Sequence, residues 1–480
     1  MYHYMTNNEL IMEVRGSMTR FDPLTSELVT RISDDKLTYD ELAEILDHYG
    51  FTIKNVVHDP GRRFQHTYYA DYDNGIYFDV SMMSKDYFDF VGKDILQGLS
   101  KMLVEGNQLL AQREWDSFYL IMMPLPMAVY DFQKRFRDIP TDQVFDVWYG
   151  IYKRLDYSFG MWDPDVLEYV FSYPPDTPKP EPGENGLVTI YRGVGELSSN
   201  PDQAISWSTH PGNALWFANR FHLGTALVIA EVDPGAVVAY YPSFRNENEV
   251  IVKPGTVQNI RSADMLPADQ ENFIKLAAPA LFDYMRYGRQ ARKFGYKNET
   301  GFFEYHGIKH ILRVLFLALV YYHSCKAELT ERDKDILVYF ALLHDVGRIN
   351  EDVDDNHGAA SVSLIKLKGL RMQGVNLSKK DYRIAHLIIE YHCKDDGDGI
   401  SAIRNTEDFT RHDKNRAERL YKICKDMDGL DRVRFNGLDY RMLRTEFARK
   451  LPLIAGCLLN EDVVGFLDNE IHDEGVSHND

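Results

Sequence analysis

Between residues 187 and 255 apolar and polar positions alternate in short runs. "LVTIYRGV", "TALVIAEV", "AVVAYY" and "NEVIVKPG" each have the period of two that predicts a strand. Near Asp269 the period lengthens, and helical patterns continue almost to the end. Upstream, "DILQGLSKMLVEGNQLLAQ" and "DQVFDVWYGIYKRL" predict helices between about residues 96 and 173. The first 95 residues are mixed: "TYDELAEILDHYG" reads as a short helix with a glycine stop, and "GIYFDVSMM" alternates like a strand. "SYPPDTPKPEPGENG" holds five of the chain's 19 prolines, Pro174 to Pro182, and predicts an extended connector. The expected architecture is multidomain α+β. A mixed segment of unassigned role spans 1–95, a β-rich domain with a helical lead-in 96–265, and an all-helical domain 266–480. The last residues, "DNEIHDEGVSHND", are acidic and predict a frayed end.

Within the helical region, "LTERDKDILVYFALLHDVG" has the signals of a complete helix. Thr330 caps it with Asp333 at the third position, Ile336, Leu337, Phe340 and Leu343 form an apolar stripe, and Gly347 ends it. His344 and Asp345 therefore fall at an apolar helix end. A charge buried there is costly unless it is paired or holds a metal. Upstream, His306 and His310 lie four apart on one predicted helix. Downstream, His357 opens a helix, and His386 and His392 lie on another. Asp426, Asp428 and Asp431 follow on a helix whose Leu420, Ile423, Met427 and Leu430 face inward. Imidazoles and carboxylates converging from several helices suit Mg²⁺, Mn²⁺, Fe or Zn, and a carboxylate such as that of Asp345 can bridge two ions.

These residues resemble the HD superfamily of metal-dependent phosphohydrolases: "HILRV" (His310 to Val314), "HDVGR" (His344 to Arg348) and "DMDGLDRVR". The resemblance covers roughly residues 300–435. It implies His310, His344, Asp345 and Asp428 as metal ligands, with Asp428 preferred to Asp426 and Asp431 for its spacing to Leu430 and Arg434. It places His357 and His392 where two-metal members carry extra histidines, and His306 where cyclic-nucleotide phosphodiesterases keep a protonating histidine. His323, His386 and His412 read as ordinary core or surface histidines.

The β-rich region holds a second constellation. Arg192 lies on a strand, Ser206 and Ser208 follow in "AISWSTHPG", and Glu247 and Glu249 lie in "FRNENEVIVKPG". In that order they resemble the Arg–Ser–Glu class of ADP-ribosyltransferases over about residues 185–256. The resemblance implies NAD as cofactor and a protein or other macromolecule as acceptor. Glu249 would stabilise the oxocarbenium-like transition state, Glu247 would activate the acceptor, Arg192 would bind NAD, and Ser206, supported by Ser208, would position Glu249 and the ribose. The register departs from the usual Ser-Thr-Ser signature, because the sequence reads Ser-Trp-Ser-Thr.

Composition narrows the partners. The formal charge of −19 disfavours non-specific binding to nucleic acid or anionic membrane. The N-terminus lacks a secretory pattern, and the longest greasy run, "ILRVLFLALVYY", is too short to cross a bilayer. Four cysteines without a CxxC pair read as reduced thiols. A cytoplasmic protein is expected, whether it stays in its own cell or is exported as an effector or toxin without a cleavable signal. The expected function is bifunctional: a transferase that modifies a target, and a phosphohydrolase or phosphodiesterase that processes a phosphoester. The alternative is an HD nucleotide or cyclic-nucleotide phosphohydrolase whose transferase-like domain only binds or regulates. A third possibility is an interaction protein with two vestigial sites.

Overall fold

The computed structural model describes residues 22–27, 29, 37–58, 67–71, 76–80, 85–87, 90, 92–122, 125–155, 162–195, 198–219, 224–242, 247–291, 293–294, 306–349 and 354–459. The acidic end at 468–480 lies outside them. Contacts divide the chain into two compact units, residues 1–177 and 178–480.

In the first unit a four-stranded antiparallel sheet runs in the order β1 (Asp22–Pro23), β2 (Val56–His58), β3 (Thr67–Asp71), β4 (Ile76–Asp79). Helix Tyr39–His48 starts at a Thr38–Glu41 capping box and buries Leu42 and Leu46 in the same core as Phe51 and Tyr69. Helices Lys93–Gln112, Leu125–Arg135, Val144–Tyr152 and Pro164–Phe171 follow. The unit is thus a mixture of sheet and helix. The prolines at 174–182 lie in the irregular stretch where the two units divide.

The second unit contains both the predicted strands and the predicted C-terminal helices, so the two regions separated at residue 265 by their periodicity share one compact body. Six strands, β5 (Val188–Gly195), β6 (Ser206–Ser208), β7 (Gly224–Val232), β8 (Val237–Tyr241), β9 (Glu249–Val252) and β10 (Gln258–Ser262), form an antiparallel sheet ordered β10-β7-β5-β6-β9-β8. Two of these strands lack the alternation that reveals the others. β6 is only three residues long, and β10 is exposed along its length. On one face Val188, Ile190, Trp207, Val228, Val250 and Val252 make a core of their own. On the other, Tyr191, Leu227 and Ile229 join helix Pro211–Asn219 and the C-terminal helices in a single core. Gly193 makes this possible, because a Cβ there would lie 1.9 Å from the Ala214 carbonyl oxygen.

The helical region comprises Gln270–Ala291, Ile308–Ser324, Glu331–Leu343, His357–Lys368, Lys379–Tyr391, Asp396–Arg404 and Arg411–Leu430, ending in short helices Glu446–Arg449 and Pro452–Cys457. Capping boxes at Thr330–Asp333, Ser378–Asp381 and Thr410–Asp413 start three of these helices. The capping carboxylates also tie the helices together. Arg416 donates to Asp333 and to Asp381, each at 2.6 Å, and Lys380 donates to Asp413 at 2.8 Å. Gly347 differs from its expected role as a helix stop. The helix ends at Leu343, and Gly347 is needed for close approach, because a Cβ there would lie 2.3 Å from the Ser361 nitrogen.

Burial raises the Asp381 carboxyl pKa, but hydrogen bonds from Arg416, Ser378 and Arg332 outweigh it and hold the group down at about 2. A depressed pKa adds stability that is complete above the unfolded value, near 4, and is lost as pH falls toward 2. Asp381→Ala is expected to cost about 3 kcal/mol at neutral pH by leaving the Arg416 Nη1 without its buried acceptor, while Nε keeps Asp333. Urea unfolding at pH 6, 4 and 3 checks both points: the variant should lose less stability than the parent over that range.

Candidate metal centre

The centre is built from five helix ends or faces. His310 lies in the first turn of Ile308–Ser324, His344 caps Glu331–Leu343, and Asp345 follows it. His357 opens one helix, His392 caps Lys379–Tyr391, and Asp428 lies near the end of Arg411–Leu430. His310 and His344 have no solvent exposure, Asp345 has 5%, and His392 has 5%. The Asp428 side chain, 31% exposed, marks the open side.

Each of the four imidazoles has its Nδ1 engaged by a neighbour. His310 Nδ1 lies 2.7 Å from Asp431 Oδ2, His344 Nδ1 lies 3.2 Å from the Phe340 and Ala341 carbonyls, and His392 Nδ1 lies 2.7 Å from the Ile389 carbonyl. His357 Nδ1 faces the Asp354 carbonyl. A carbonyl has no proton to give, so the ring nitrogen facing it carries one. Partners of this kind fix the tautomer of a metal-binding histidine and leave Nε2 as the ligand atom.

The Nε2 atoms converge on Asp345. His310 and His344 bring theirs within 3.2 Å of each other, and His357 and His392 within 2.9 Å. Asp345 Oδ2 lies 3.7 Å from His310 Nε2 and 3.8 Å from His344 Nε2, while Asp428 Oδ1 lies 3.4 and 3.7 Å from the same two atoms. Asp345 Oδ1 faces the other pair, at 3.2 Å from His357 and 3.5 Å from His392. It is buried and accepts no hydrogen bond. Facing lone pairs and a buried carboxylate oxygen without a donor are stable only around a positive charge. The residues therefore fit one cation among His310, His344, Asp345 and Asp428, and a second beside His357 and His392, with Asp345 between them.

Electrostatics point the same way. Burial works against the charged form of His344, but Asp345 and Asp428 outweigh it and push the imidazole up to about 9. Burial also raises the Asp345 and Asp428 carboxyls, and the surrounding histidines overcome this and hold both well below the usual carboxylate range.

Asp431 is the residue that caps helix Arg411–Leu430. It lies against His310 Nδ1, behind the ring, and binds Arg313 at 2.5 Å and Arg434 at 2.6 Å. Asp426 is turned away, accepting from the backbone nitrogens of Arg444 and Thr445. His306 stands with its ring 5.7 Å from that of His310. His323 and His386 pair with Asp283 and Tyr339 outside the centre, and His412 is exposed.

The second constellation also comes together, on neighbouring strands β5, β6 and β9. Ser206 Oγ donates to Glu249 Oε1 at 2.7 Å, and Arg192 Nη1 donates to the Ser206 carbonyl at 2.7 Å. Ser208 is buried, and its hydroxyl donates to the Glu247 carbonyl at 2.8 Å, so it holds the Glu247 backbone.

Residues 307–433 match the family model of the HD domain. That span holds the four convergent histidines with Asp345, Asp428 and Asp431. Searches of the curated proteins and of the solved structures each found no match. The helical region is thus similar to an HD domain over residues 307–433, and none of the comparisons supports the transferase resemblance or NAD as a cofactor. Among the described residues, no helix is long and apolar enough to cross a membrane.

Sequence reasoning passed over Arg313 and Arg434, which only their shared contact with Asp431 reveals. Asp431→Ala is expected to release the His310 ring and weaken binding of Mn²⁺ or Zn²⁺ by about ten- to a hundredfold. Competition against a chromophoric chelator measures the change.

Proposed function

We propose that this chain is a metal-dependent phosphohydrolase that cleaves a phosphoester at the His310–His344–Asp345–Asp428 centre. The observation that carries the reading is the convergence of four Nε2 atoms on the two oxygens of one buried aspartate. When bound, divalent ions supply Lewis-acid polarisation of the phosphoryl group and activation of the attacking water. The protein's own residues do the rest. Asp431 and the backbone carbonyls hold the rings in one tautomer, and Asp345 divides its two oxygens between the two halves of the centre. The exposed edge at Asp428 admits substrate. His306, whose ring neighbours that of His310, would give a proton to the departing oxygen.

Asp345→Ala is expected to abolish hydrolysis of bis-p-nitrophenyl phosphate with Mn²⁺ present, while Glu249→Ala leaves it unchanged. His306→Gln separates acid catalysis from metal chemistry. It should slow an alkyl phosphoester by about 10²-fold or more and barely affect a nitrophenyl ester, whose leaving group needs no proton. Equal losses on both esters would remove His306 from the acid role.

A second reading is favoured by the Ser206–Glu249 hydrogen bond and its neighbour Arg192. In it the sheet is an ADP-ribosyltransferase, with Glu249 at the nicotinamide ribose, Glu247 toward a macromolecular acceptor and Arg192 on NAD. Incubation with adenylate-labelled NAD and lysate tests it. Label on macromolecules that disappears with Glu249→Ala supports it, and no NAD consumption leaves the sheet a binding or regulatory module.

A further inference from the structure

The two halves of the centre do not offer the same donor atoms. Around His310 and His344 the other donors are carboxylate oxygens from Asp345 and Asp428. Around His357 and His392 there is also a sulfur. A ring nitrogen of each and Cys393 Sγ all lie within 4.8 Å of one another.

Local packing puts the sulfur there. Cys393 follows the cap residue of helix Lys379–Tyr391, and His357 begins the helix packed against that end. Gly358 allows the approach. A Cβ on it would lie 2.3 Å from the Ile389 carbonyl oxygen, 2.8 Å from that of Glu390 and 3.2 Å from Cys393 Sγ. The thiol proton points to the Asp355 carbonyl, 3.1 Å away, which leaves the sulfur lone pairs available to a cation. On the same side, Asp345 Oδ1 is buried, accepts no hydrogen bond and faces both rings. Two imidazoles and one sulfur lie together here, and a carboxylate oxygen faces the same two rings, so the donors are of mixed softness.

We propose that Cys393 is a thiolate ligand of the second cation position, together with His357, His392 and Asp345, and that this position takes a thiophilic ion such as Zn²⁺, Fe²⁺ or Co²⁺. The inference rests on the metal-dependent reading above and refines it. Magnesium and manganese prefer oxygen donors, whereas thiolate with imidazole suits zinc and iron. The two positions therefore differ in preference: an oxygen-rich one on the open side, and a sulfur-bearing one toward His357. On binding, the thiol loses its proton to solvent as the sulfur–metal bond forms, and no electrons are exchanged.

The test uses the full chain, stripped with a chelator and titrated with Co²⁺ without oxygen. A near-ultraviolet sulfur-to-cobalt charge-transfer band is expected, saturating with one of two bound equivalents. Cys393→Ser should lose the band and one equivalent of tightly bound zinc, while Cys424→Ser, on the helix that bears Asp428, should keep both. Two bound cobalt ions without the band would overturn the thiolate ligand and leave the phosphohydrolase reading intact. A band that survives Cys393→Ser would also overturn it, by assigning the sulfur elsewhere. Absence of any bound metal, by elemental analysis after dialysis, would overturn both. The wild-type spectrum decides whether sulfur binds, so the test does not depend on a variant folding.

Discussion

Burying Asp345 is the constraint around which the helical region is arranged. One of its oxygens accepts no hydrogen bond, and the other is nearly 4 Å from its closest nitrogen partners. Such a group is tolerable only if the histidines around it present nitrogen lone pairs to a shared cation. That in turn requires each Nδ1 to be engaged from behind, by Asp431 for His310 and by backbone carbonyls for the others. Backbone carbonyls can do this only at helix ends, where they are not all consumed by the helix itself. The placement of His344 and His392 at helix caps follows from this requirement.

Much of the region was legible because its signals are local. The capping box at Thr330 is a short-range pattern, and the apolar stripes follow the helix period. The strands at 187–194 and 225–232 also appear close to where alternation puts them, as β5 and β7. What escaped was set by distant parts of the chain. The place of Asp431 behind the His310 ring depends on how its helix packs against its neighbours, which spacing along that helix cannot report. Gly347 reads as a stop in sequence, whereas in space it is where the turn after Leu343 presses against helix His357–Lys368. The second half of the centre hides a sulfur because Cys393 is defined by what lies opposite it.

The same contrast governs the sheet. Arg192, Ser206 and Glu249 are far apart in sequence and brought to adjacent strands by the order β5-β6-β9. The hydrogen bond between Ser206 and Glu249 gives that carboxylate a defined orientation, a requirement for any chemistry or recognition it performs. Its pairing with the candidate metal centre in one compact unit makes the two sites parts of a single body, although only the helical one lies in a span that matches a family model.

The chain's course after the HD-matching span binds them further. The Leu266 nitrogen donates to the Lys450 carbonyl, helix Pro452–Cys457 belongs to the core shared with the sheet, and Arg441 reaches the Tyr191 hydroxyl on β5. Gly212, at the start of helix Pro211–Asn219, sits so close to the Asn436 and Leu438 carbonyls that no side chain fits between them. The unit is laced shut by its last segment. An excised 307–433 fragment would have a raw apolar flank where that segment and the sheet once lay, and a separated sheet would lose the floor beneath Tyr191. Cutting the chain between the two halves would therefore bare apolar surface on both of them.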